Sequence, residues 1–242
     1  RTSTTVKLIK YKGMKNRLII PLAAAALVVA AQAQVTLDHF DEPASPGGQF
    51  VAAVGTTGAS DTGTAPITGL LADSRHVRVD LDSVTADTGA AQFSVNQIVS
   101  AHKSVLSANT NTDAKATVTY DNSGNGLAGL NLSSFQYIQL NDAGNDQLTH
   151  WSLTLIDKNA ISHTETSVQA GSPVTKDINF NLNLFAAVDL TDIDKVILVI
   201  DPQVAGGDAD LHALIAVPEP QEYALALGLF GLGFVAVRRF RK

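Results

Sequence analysis

The sequence predicts an all-β fold, an antiparallel β-sandwich or jelly roll, for the central part of the chain. Short segments with alternating apolar and polar residues recur there between clusters of Gly, Asn, Asp, Ser and Pro. A period of two is typical of half-buried strands. The same region has no segment with the apolar spacing of an amphipathic helix. Roughly ten short strands without helices are typical of a two-layer antiparallel fold.

Several segments show this alternation clearly. In residues 148–157 the side chains of Trp151, Leu153 and Leu155 share one side, so we expect Trp151 to lie in the core. The stretch 41–69 is rich in Gly, Pro, Thr and Ser and is predicted to be a long loop. The remaining predicted strands are 49–54, 76–81, 91–99, 114–120, 135–140, 160–168, 174–184, 195–201 and 210–217.

Two short units in the predicted sandwich echo each other. Asn131-Leu132-Ser133 precedes the strand at 136–140, and Asp189-Leu190-Thr191 precedes the strand at 194–200. Ser and Thr hydroxyls can close a local turn before the backbone extends. The echo therefore predicts a similar one-turn cap at the start of both strands.

The N-terminal part of the chain has the features of a secretory signal peptide. The only methionine, Met14, is followed by two basic residues, an apolar stretch over 18–31 and a small-residue site. This order predicts a signal peptide over 14–33, with 1–13 as an upstream extension outside the fold. The apolar part, about fourteen residues, is shorter than a retained membrane span needs. The cleavage site consists of Ala31 and Ala33, with Gln34 as the first residue of the mature protein.

The C-terminal end has three parts in a fixed order. A proline-containing motif comes first, a hydrophobic helix over 221–237 follows, and a basic tail over 238–242 ends the chain. Prolines do not fit a helix interior, so the motif is predicted to be an accessible linker. The apolar run 223–237 reaches roughly 22 Å, which is short of the ~30 Å hydrocarbon core of a membrane. The helix can still span the membrane if the residues at its two ends lie at the interfaces, with the basic tail on the cytoplasmic side. The motif is Val217, Pro218, Glu219 and Pro220, and the tail carries Arg238, Arg239, Arg241 and Lys242.

This three-part end resembles a PEP-CTERM sorting signal. The resemblance implies a protein that passes through the export machinery and signal peptidase and then stands in the inner membrane. It implies further that an exosortase-type transpeptidase recognises the protein, which ends at the cell surface or in the extracellular matrix of a Gram-negative bacterium. The alternative is that 221–237 is a buried C-terminal helix of a globular domain. This is disfavoured, because a core helix that follows a proline-containing linker seldom ends in a cluster of basic residues. The predicted domains are therefore 1–13, 14–33, a β-sandwich over 34–216 and the sorting signal over 217–242.

Charge and cysteine content narrow the function classes. The chain has a formal charge of −6, but residues 34–217 carry seven Lys and Arg against twenty-one Asp and Glu, a charge of −14. Such a surface repels nucleic acid and anionic membranes and attracts cations. The chain has no cysteine, so disulfides and thiolate metal sites are excluded. Stability must come from a core, which about 184 residues can supply.

Motifs for catalysis are weak. A Gly-x-Ser-x-Gly elbow is missing, and Gly171-Ser172-Pro173 lacks the second glycine. The six histidines have no His-Glu-x-x-His spacing. Among twenty-one acids, a carboxylate pair for glycoside hydrolysis arises easily by chance. The sequence therefore predicts a protein that is not an enzyme, with a secreted polysaccharide-active hydrolase as an alternative.

Two segments are candidate calcium sites. Residues 121–126 match the opening of an EF-hand loop, but position twelve is Leu132 where a bidentate Glu is needed, which favours a plain Asn/Gly turn. The loop at Gly206-Gly207 is the better candidate, because it can gather acidic side chains from both of its flanks around a hard cation. The predicted ligands are Asp201, Asp208 and Asp210, joined by Asp38 if the first and last strands pair.

The body resembles jelly-roll domains of the carbohydrate-binding-module or galactose-binding type. The two echoed units, the start Leu37-Asp38-His39-Phe40 and the ending at 209–215 carry this resemblance. It implies glycan binding and a structural calcium. Saccharide sites combine an exposed aromatic ring with amide, acid and hydroxyl groups. One polar strand face can serve as such a site or be simply solvated: Asp177, Asn179, Asn181 and Asn183.

The resulting hypothesis is an exported, surface or matrix-associated β-sandwich protein without catalytic activity, acting in adhesion or in association with exopolysaccharide. A calcium-dependent carbohydrate-binding module is the main alternative.

Overall fold

The computed structural model describes residues 34–40, 49–51, 60–66, 74–84, 90–94, 104–127 and 129–218, together with 228 and 231. The chain divides into two compact units, one spanning Gln34–Pro218 and one made of Arg1–Ala33 with Glu219–Lys242. The predicted signal peptide 14–33, the helix 221–237 and the basic tail 238–242 lie outside the described residues, apart from the two isolated positions. Within the described part of the chain, none of the helices has the length and apolar character needed to cross a membrane.

The described residues of the unit Gln34–Pro218 form antiparallel strands and two short 3-10 helices, Asn122–Gly124 and Leu182–Phe185. This confirms the predicted all-β antiparallel sandwich. The strands, in chain order, are β1 (Val35–Asp38), β2 (Gln49–Val51), β3 (Ser60–Pro66), β4 (Ser74–Val84), β5 (Ala91–Ser94), β6 (Ser104–Ala108), β7 (Thr112–Tyr120), β8 (Phe135–Asn145), β9 (Thr149–Asp157), β10 (Ser162–Gln169), β11 (Ser172–Asn181), β12 (Ile193–Pro202), β13 (Ala209–Leu211) and β14 (Ala213–Pro218).

The strands form two sheets. Sheet A has the order β1-β14-β8-β13-β6-β5-β2, with β11 paired to the other edge of β8. Sheet B has the order β10-β9-β12-β7-β4-β3. In sheet A, β13 and β14 follow one another along β8 and are separated by His212, whose backbone N–H donates to the Asn141 carbonyl at 3.1 Å. Strand β8 is therefore paired along both edges.

The core lies between the inner faces of the two sheets. Every second side chain of β7 and β9 is buried there, as alternation predicts, and the same holds for β12 from Val196 onward. Trp151 on β9 is fully buried, which confirms the prediction that it is a core residue. The largest buried side chains also include Tyr120, Phe40, Phe93 and Phe185.

A buried charge pair joins the two sheets. The Arg75 guanidinium of β4 donates to Asp38 of β1 at 2.5 Å, and the Tyr120 hydroxyl of β7 donates to the same carboxylate at 2.7 Å. Arg75 also lies 4.7 Å from the centre of the Phe40 ring. Asp38, Arg75, Tyr120 and Phe40 are all fully buried. Sequence analysis did not find this cluster.

The echoed units have the same geometry. The Asn131 side chain accepts from the backbone and the hydroxyl of Ser133 at 2.9 and 2.7 Å. The Asp189 side chain accepts from the backbone and the hydroxyl of Thr191 at 3.0 and 2.7 Å. Similar caps therefore precede both strands, as predicted, although the Asn or Asp side chain is the acceptor and the hydroxyl is a donor. The units also meet, since Leu132 N donates to Leu190 O at 2.7 Å.

Some strand boundaries differ from the prediction. Within the stretch 41–69, predicted to be a long loop apart from a strand at 49–54, the structure has β2 at the start of that predicted strand and also β3, which was not predicted. Strand β6 was not predicted. The strand predicted over 174–184 ends at Asn181, whose side chain accepts from Asn183 N at 3.0 Å and caps the helix Leu182–Phe185. Leu184 therefore faces solvent and not the core. Of the predicted strand 91–99, the structure describes only Ala91–Ser94.

Asp38→Asn tests the buried pair. This change removes the carboxylate charge that Arg75 faces in the buried interior, so we expect the free energy of unfolding to fall by about 3–5 kcal/mol. Urea unfolding followed by Trp151 fluorescence measures it. The matched control is Asp192→Asn, which removes the exposed partner of Lys158, 3.7 Å away, and should cost less than about 1 kcal/mol. Equal effects of the two changes would contradict the assigned role.

The Tyr120 phenol allows a test by pH. Burial, and then the nearby Asp38 carboxylate, raise the pKa of Tyr120 well above its ordinary value of 10.0. The unfolded chain releases this proton near pH 10.0 while the folded chain retains it, so the contribution to stability is complete below that pH and is lost as pH rises through the raised pKa. Between about pH 10 and 12 the free energy of unfolding should therefore fall more steeply for the native protein than for Tyr120→Phe. The free energy of unfolding is measured by urea titration at a series of pH values. If it falls equally with pH in the native protein and in Tyr120→Phe, this role of Tyr120 is refuted.

Candidate functional site

The outer face of sheet A carries a row of polar side chains on β8 and β11. Strand register places Asn179 opposite Gln139 and Asn181 opposite Tyr137. The residues between them, such as Ile138 and Leu140, are buried in the core, so alternation directs the row to the other face. We name this set the amide row; it consists of Tyr137, Gln139, Asn141, Asp177, Asn179 and Asn181.

Cross-strand hydrogen bonds fix the amide row. Gln139 Nε2 donates to Asn179 Oδ1 at 2.9 Å, and Asn141 Nδ2 donates to Asp177 Oδ1 at 3.2 Å. The Asp142 backbone N–H also donates to Asp177 Oδ1, at 3.0 Å, and Asp142 has a φ of 55° at this irregular point of the ladder. An amide has two N–H donors and one carbonyl acceptor, so each of the three amides in these bonds keeps hydrogen-bonding capacity for a ligand.

Tyr137 gives the row an aromatic group. Its side chain is half-buried, so part of the ring reaches solvent. By contrast, Trp151 and Tyr120 are fully buried and cannot stack on a ligand. Tyr137 is therefore the aromatic side chain positioned to contact a ligand beside the amide row.

A pocket of about 500 Å³ adjoins the far ends of the same two strands. We name it the acidic pocket, because its lining includes Asp146, Asp208 and Asp210. Gly144 lies in its wall, where a Cβ atom would lie 2.4 Å from Asp210 Oδ1 and 3.0 Å from Thr175 Cγ2. Glycine is thus needed for these two side chains to approach the backbone. The other lining residues are Val105, Asn145, Gly171, Ser172, Thr175 and Ala209.

Backbone N–H groups hold two of the pocket's acids in place. Asp208 Oδ1 accepts from Ala108 N at 3.0 Å, and Asp146 Oδ1 accepts from Asp208 N at 2.7 Å. None of the described residues that line the pocket is a Lys, Arg or His. The local potential is therefore negative and favours a cationic or donor-rich ligand.

The four predicted calcium ligands do not come together. Asp38 is buried against Arg75 and Tyr120, so it is not available to a cation. Asp201 ends β12 in sheet B, whereas Asp208 and Asp210 line the acidic pocket. In the part of the chain that the structure describes, no three acidic or histidine side chains are grouped to hold a metal.

The EF-hand-like segment is a turn, as predicted. Asp121 Oδ1 accepts from Gly124 N at 3.1 Å, and Asp121 Oδ2 lies 3.1 Å from Lys195 Nζ. Asn122 and Ser123 both have positive φ. The Asp121 carboxylate therefore caps the turn and pairs with a lysine.

Sheet B carries a second group of acids at one end of β7 and β12. Lys115 Nζ lies 3.0 Å from both carboxylate oxygens of Asp82, and this hydrogen bond raises the pKa of Lys115. Burial, followed by the Asp82 charge, raises the pKa of Asp113, and burial likewise raises that of Asp201. Sequence analysis singled out only Asp201 of this group, because its members come from three strands.

The predicted sorting and cleavage residues are only partly described. Val217 pairs with Tyr137 and Pro218 with Phe135, so both belong to β14, and Pro218 is buried. Strand β14 therefore continues two residues beyond the domain boundary predicted at 216. Any accessible linker begins after Pro218. Gln34 is exposed, directly before β1. Ala31, Ala33, Glu219, Pro220, Arg238, Arg239, Arg241 and Lys242 lie outside the described residues.

Comparison with protein-family models gives no match, and the curated proteins contain no match either. Several solved structures have a low similarity to this chain. An exo-beta-agarase has 10% identity and a TM-score of 0.41 over 77% of this chain and 25% of that chain. PfGH50B has 11% identity and a TM-score of 0.40 over 59% of this chain and 22% of that chain. The family 11 carbohydrate-binding module of the cellulosomal cellulase Lic26A-Cel5E of Clostridium thermocellum has 12% identity and a TM-score of 0.37 over 78% of this chain and 96% of that chain. Likeness at this level does not assign a ligand or a reaction to this chain.

Proposed function

We propose that this protein is an exported, non-catalytic β-sandwich protein that associates with extracellular polysaccharide through the outer face of sheet A. The observation that carries the proposal is the half-buried Tyr137 beside amides fixed by hydrogen bonds. An aromatic ring can stack on the apolar face of a sugar while amides bond its hydroxyls. The amide row provides both kinds of contact on one surface.

The form of the surface favours a polymer. From Tyr137 to Asn141 the row extends over about 13 Å of β8 at the usual rise of a strand. It lies on paired strands, and its side chains are exposed on β11 and half-buried on β8, so a chain lying across it can contact both strands. Side chains on rigid strands, held by neighbouring hydrogen bonds, lose little freedom when a ligand binds.

The chemistry of the row supports binding rather than catalysis. Five of its six members are Tyr, Gln or Asn, and the sixth, Asp177, accepts from Asn141 Nδ2 and Asp142 N. Amides do not titrate, so they do not act as general acids or bases. A row of this composition suits recognition of hydroxyl groups.

The chain ends support the location. The pattern at 14–33 is that of a signal peptide, and the C-terminal order of motif, apolar run and basic tail is that of a sorting signal. The protein would then pass through the inner membrane to the cell surface or extracellular matrix, with an exosortase-type transpeptidase as partner. The acidic body, at −14, suits a soluble surface protein.

Tyr137→Ala tests the binding surface. We expect the affinity for exopolysaccharide purified from the producing cells to fall about tenfold, because the stacked ring is lost. Affinity electrophoresis measures the change. The matched control is Thr154→Ala on the outer face of sheet B, where the Thr154 hydroxyl shares a hydrogen bond with the Thr164 hydroxyl at 2.7 Å. Equal affinities of native protein and Tyr137→Ala would refute the proposed surface. Loss of binding with a chelator would favour the calcium-dependent module, and release of shortened glycans would favour the hydrolase.

Processing tests the location. We expect the exported protein to begin at Gln34 and to be cut near Pro220, as judged by mass spectrometry of both ends. Replacing the four basic residues of the tail by Gln should block C-terminal processing while leaving cleavage before Gln34 unchanged. Protein shed into the medium with an intact Lys242 would contradict the sorting proposal. A tagged protein that stays inside the cell and uncut at both ends would contradict export itself.

A further inference from the structure

The acidic pocket is continuous along the chain with the amide row. The row takes residues 137–141 of β8 and 177–181 of β11, and the pocket takes Gly144 and Asn145 of β8 and Ser172 and Thr175 of β11. A glycan lying on the row therefore has an acidic recess next to one of its ends. The row itself carries one carboxylate, whereas three carboxylates line the recess. The two regions are suited to different parts of a ligand.

The acidic pocket offers mainly hydrogen-bond acceptors. When ionised, the carboxylates of Asp146, Asp208 and Asp210 act only as acceptors. The Thr175 hydroxyl donates to Asp142, so its hydrogen is used. A ligand with several N–H donors and a positive charge suits such a lining, and an anion or an acceptor-rich group does not.

Asn145 supplies an independent indication of a missing donor. It lines the pocket, is 5% exposed, and its Nδ2 donates to the carbonyl oxygens of Gln147 and Gln169, the latter at 3.1 Å. Because both partners are acceptors, the orientation of the amide is fixed. Its Oδ1 has no partner among the described residues. A buried acceptor without a donor is unfavourable, so an N–H or O–H group of a ligand that bonds to Asn145 Oδ1 would stabilise this part of the pocket.

The acidic pocket is not suited to a metal ion. One oxygen of Asp208 accepts from Ala108 N and one of Asp146 accepts from Asp208 N, so one oxygen of each carboxylate is already bonded to the backbone. The described acids form no metal-holding group. An ammonium group has three donors and does not need a closed coordination shell. A volume of about 500 Å³ also lies in the usual range for a small-ligand pocket.

We propose that the acidic pocket binds the protonated amino group of an amino sugar, so that the polysaccharide bound by this protein carries free amines. The inference rests on the proposed function, since the amide row holds the glycan chain that presents the amine. The carboxylates of Asp146 and Asp208 pair with the ammonium, and the same sugar brings donors toward the Asn145 wall. Polysaccharides whose amines are acetylated lack the charge and bind more weakly.

The test compares two oligosaccharides of equal length, a glucosamine hexamer and an N-acetylglucosamine hexamer, with the full-length protein by titration calorimetry. We expect the native protein to prefer the free amine at least tenfold, and the preference to shrink at high salt. Asp146→Asn and Asp208→Asn each keep one acceptor oxygen for the backbone and should each reduce the preference about threefold or more, whereas Asp192→Asn, which removes an equal charge elsewhere, should leave it unchanged. Circular dichroism confirms folding, and Asp210→Asn replaces either variant that fails to fold.

The outcomes separate the two proposals. Equal binding of both hexamers, with both weakened by Tyr137→Ala, overturns the amine inference and leaves the amide row as a glycan site. An amine preference that survives both Asp variants also overturns the inference. An amine preference lost in the Asp variants but unaffected by Tyr137→Ala supports the pocket and overturns the role of the row. If neither hexamer binds, the amine inference is overturned. The amide row is then tested separately, by the effect of Tyr137→Ala on binding of the native exopolysaccharide.

Discussion

The charge pair between Arg75 and Asp38 is the constraint on which the sandwich depends. A buried guanidinium needs a counter-ion and further partners, and here it donates to Asp38 and lies 4.7 Å from the centre of the Phe40 ring. Arg75 belongs to sheet B and Asp38 to sheet A, so the pair forms only when the two layers are correctly aligned. The pair therefore specifies how the layers meet, and it fixes β1 on the edge of β14.

That alignment positions the functional surface. Strand β14 pairs with β1 on one edge and with β8 on the other, and β8 in turn holds β11. The β8 half of the amide row thus lies on a strand paired along both edges, and core residues such as Leu140 and Phe180 lie on the opposite face of β8 and β11. A surface backed in this way keeps its side chains in place before a ligand arrives. The acidic pocket depends on the same strands, because Gly144 lets Thr175 and Asp210 approach β8.

The sequence predicted the parts of the fold that have a regular period. Strands β7 and β9 alternate without interruption, β12 does so from Val196 onward, and their buried residues, including Trp151, lie where the alternation placed them. The short edge strand β3 is rich in Gly, Ser and Thr and has no apolar face from which it could be recognised. The helix Leu182–Phe185 interrupts a run whose alternation continues in the sequence, because Asn181 caps it. Local hydrogen bonding prevailed there over periodicity.

The candidate site was predictable only in fragments. Asp177, Asn179 and Asn181 form a visible polar face, but their partners on β8 are about forty positions away and depend on register. Asp208 and Asp210 do share a pocket, as their spacing suggested, whereas Asp201 lies in sheet B because the chain passes to sheet A between β12 and β13. Asp38 and Arg75 are separated by 37 residues, and no spacing rule pairs them.

The most direct test of the account is chemical-shift mapping by NMR, with labelled protein titrated with its exopolysaccharide. The account predicts that the largest shifts fall on β8 and β11, centred on Tyr137, Gln139 and Asn179, and extend toward Gly144. Shifts confined to the outer face of sheet B, for example at Thr117 and Val199, would contradict it, and so would a spectrum unchanged at saturating polysaccharide.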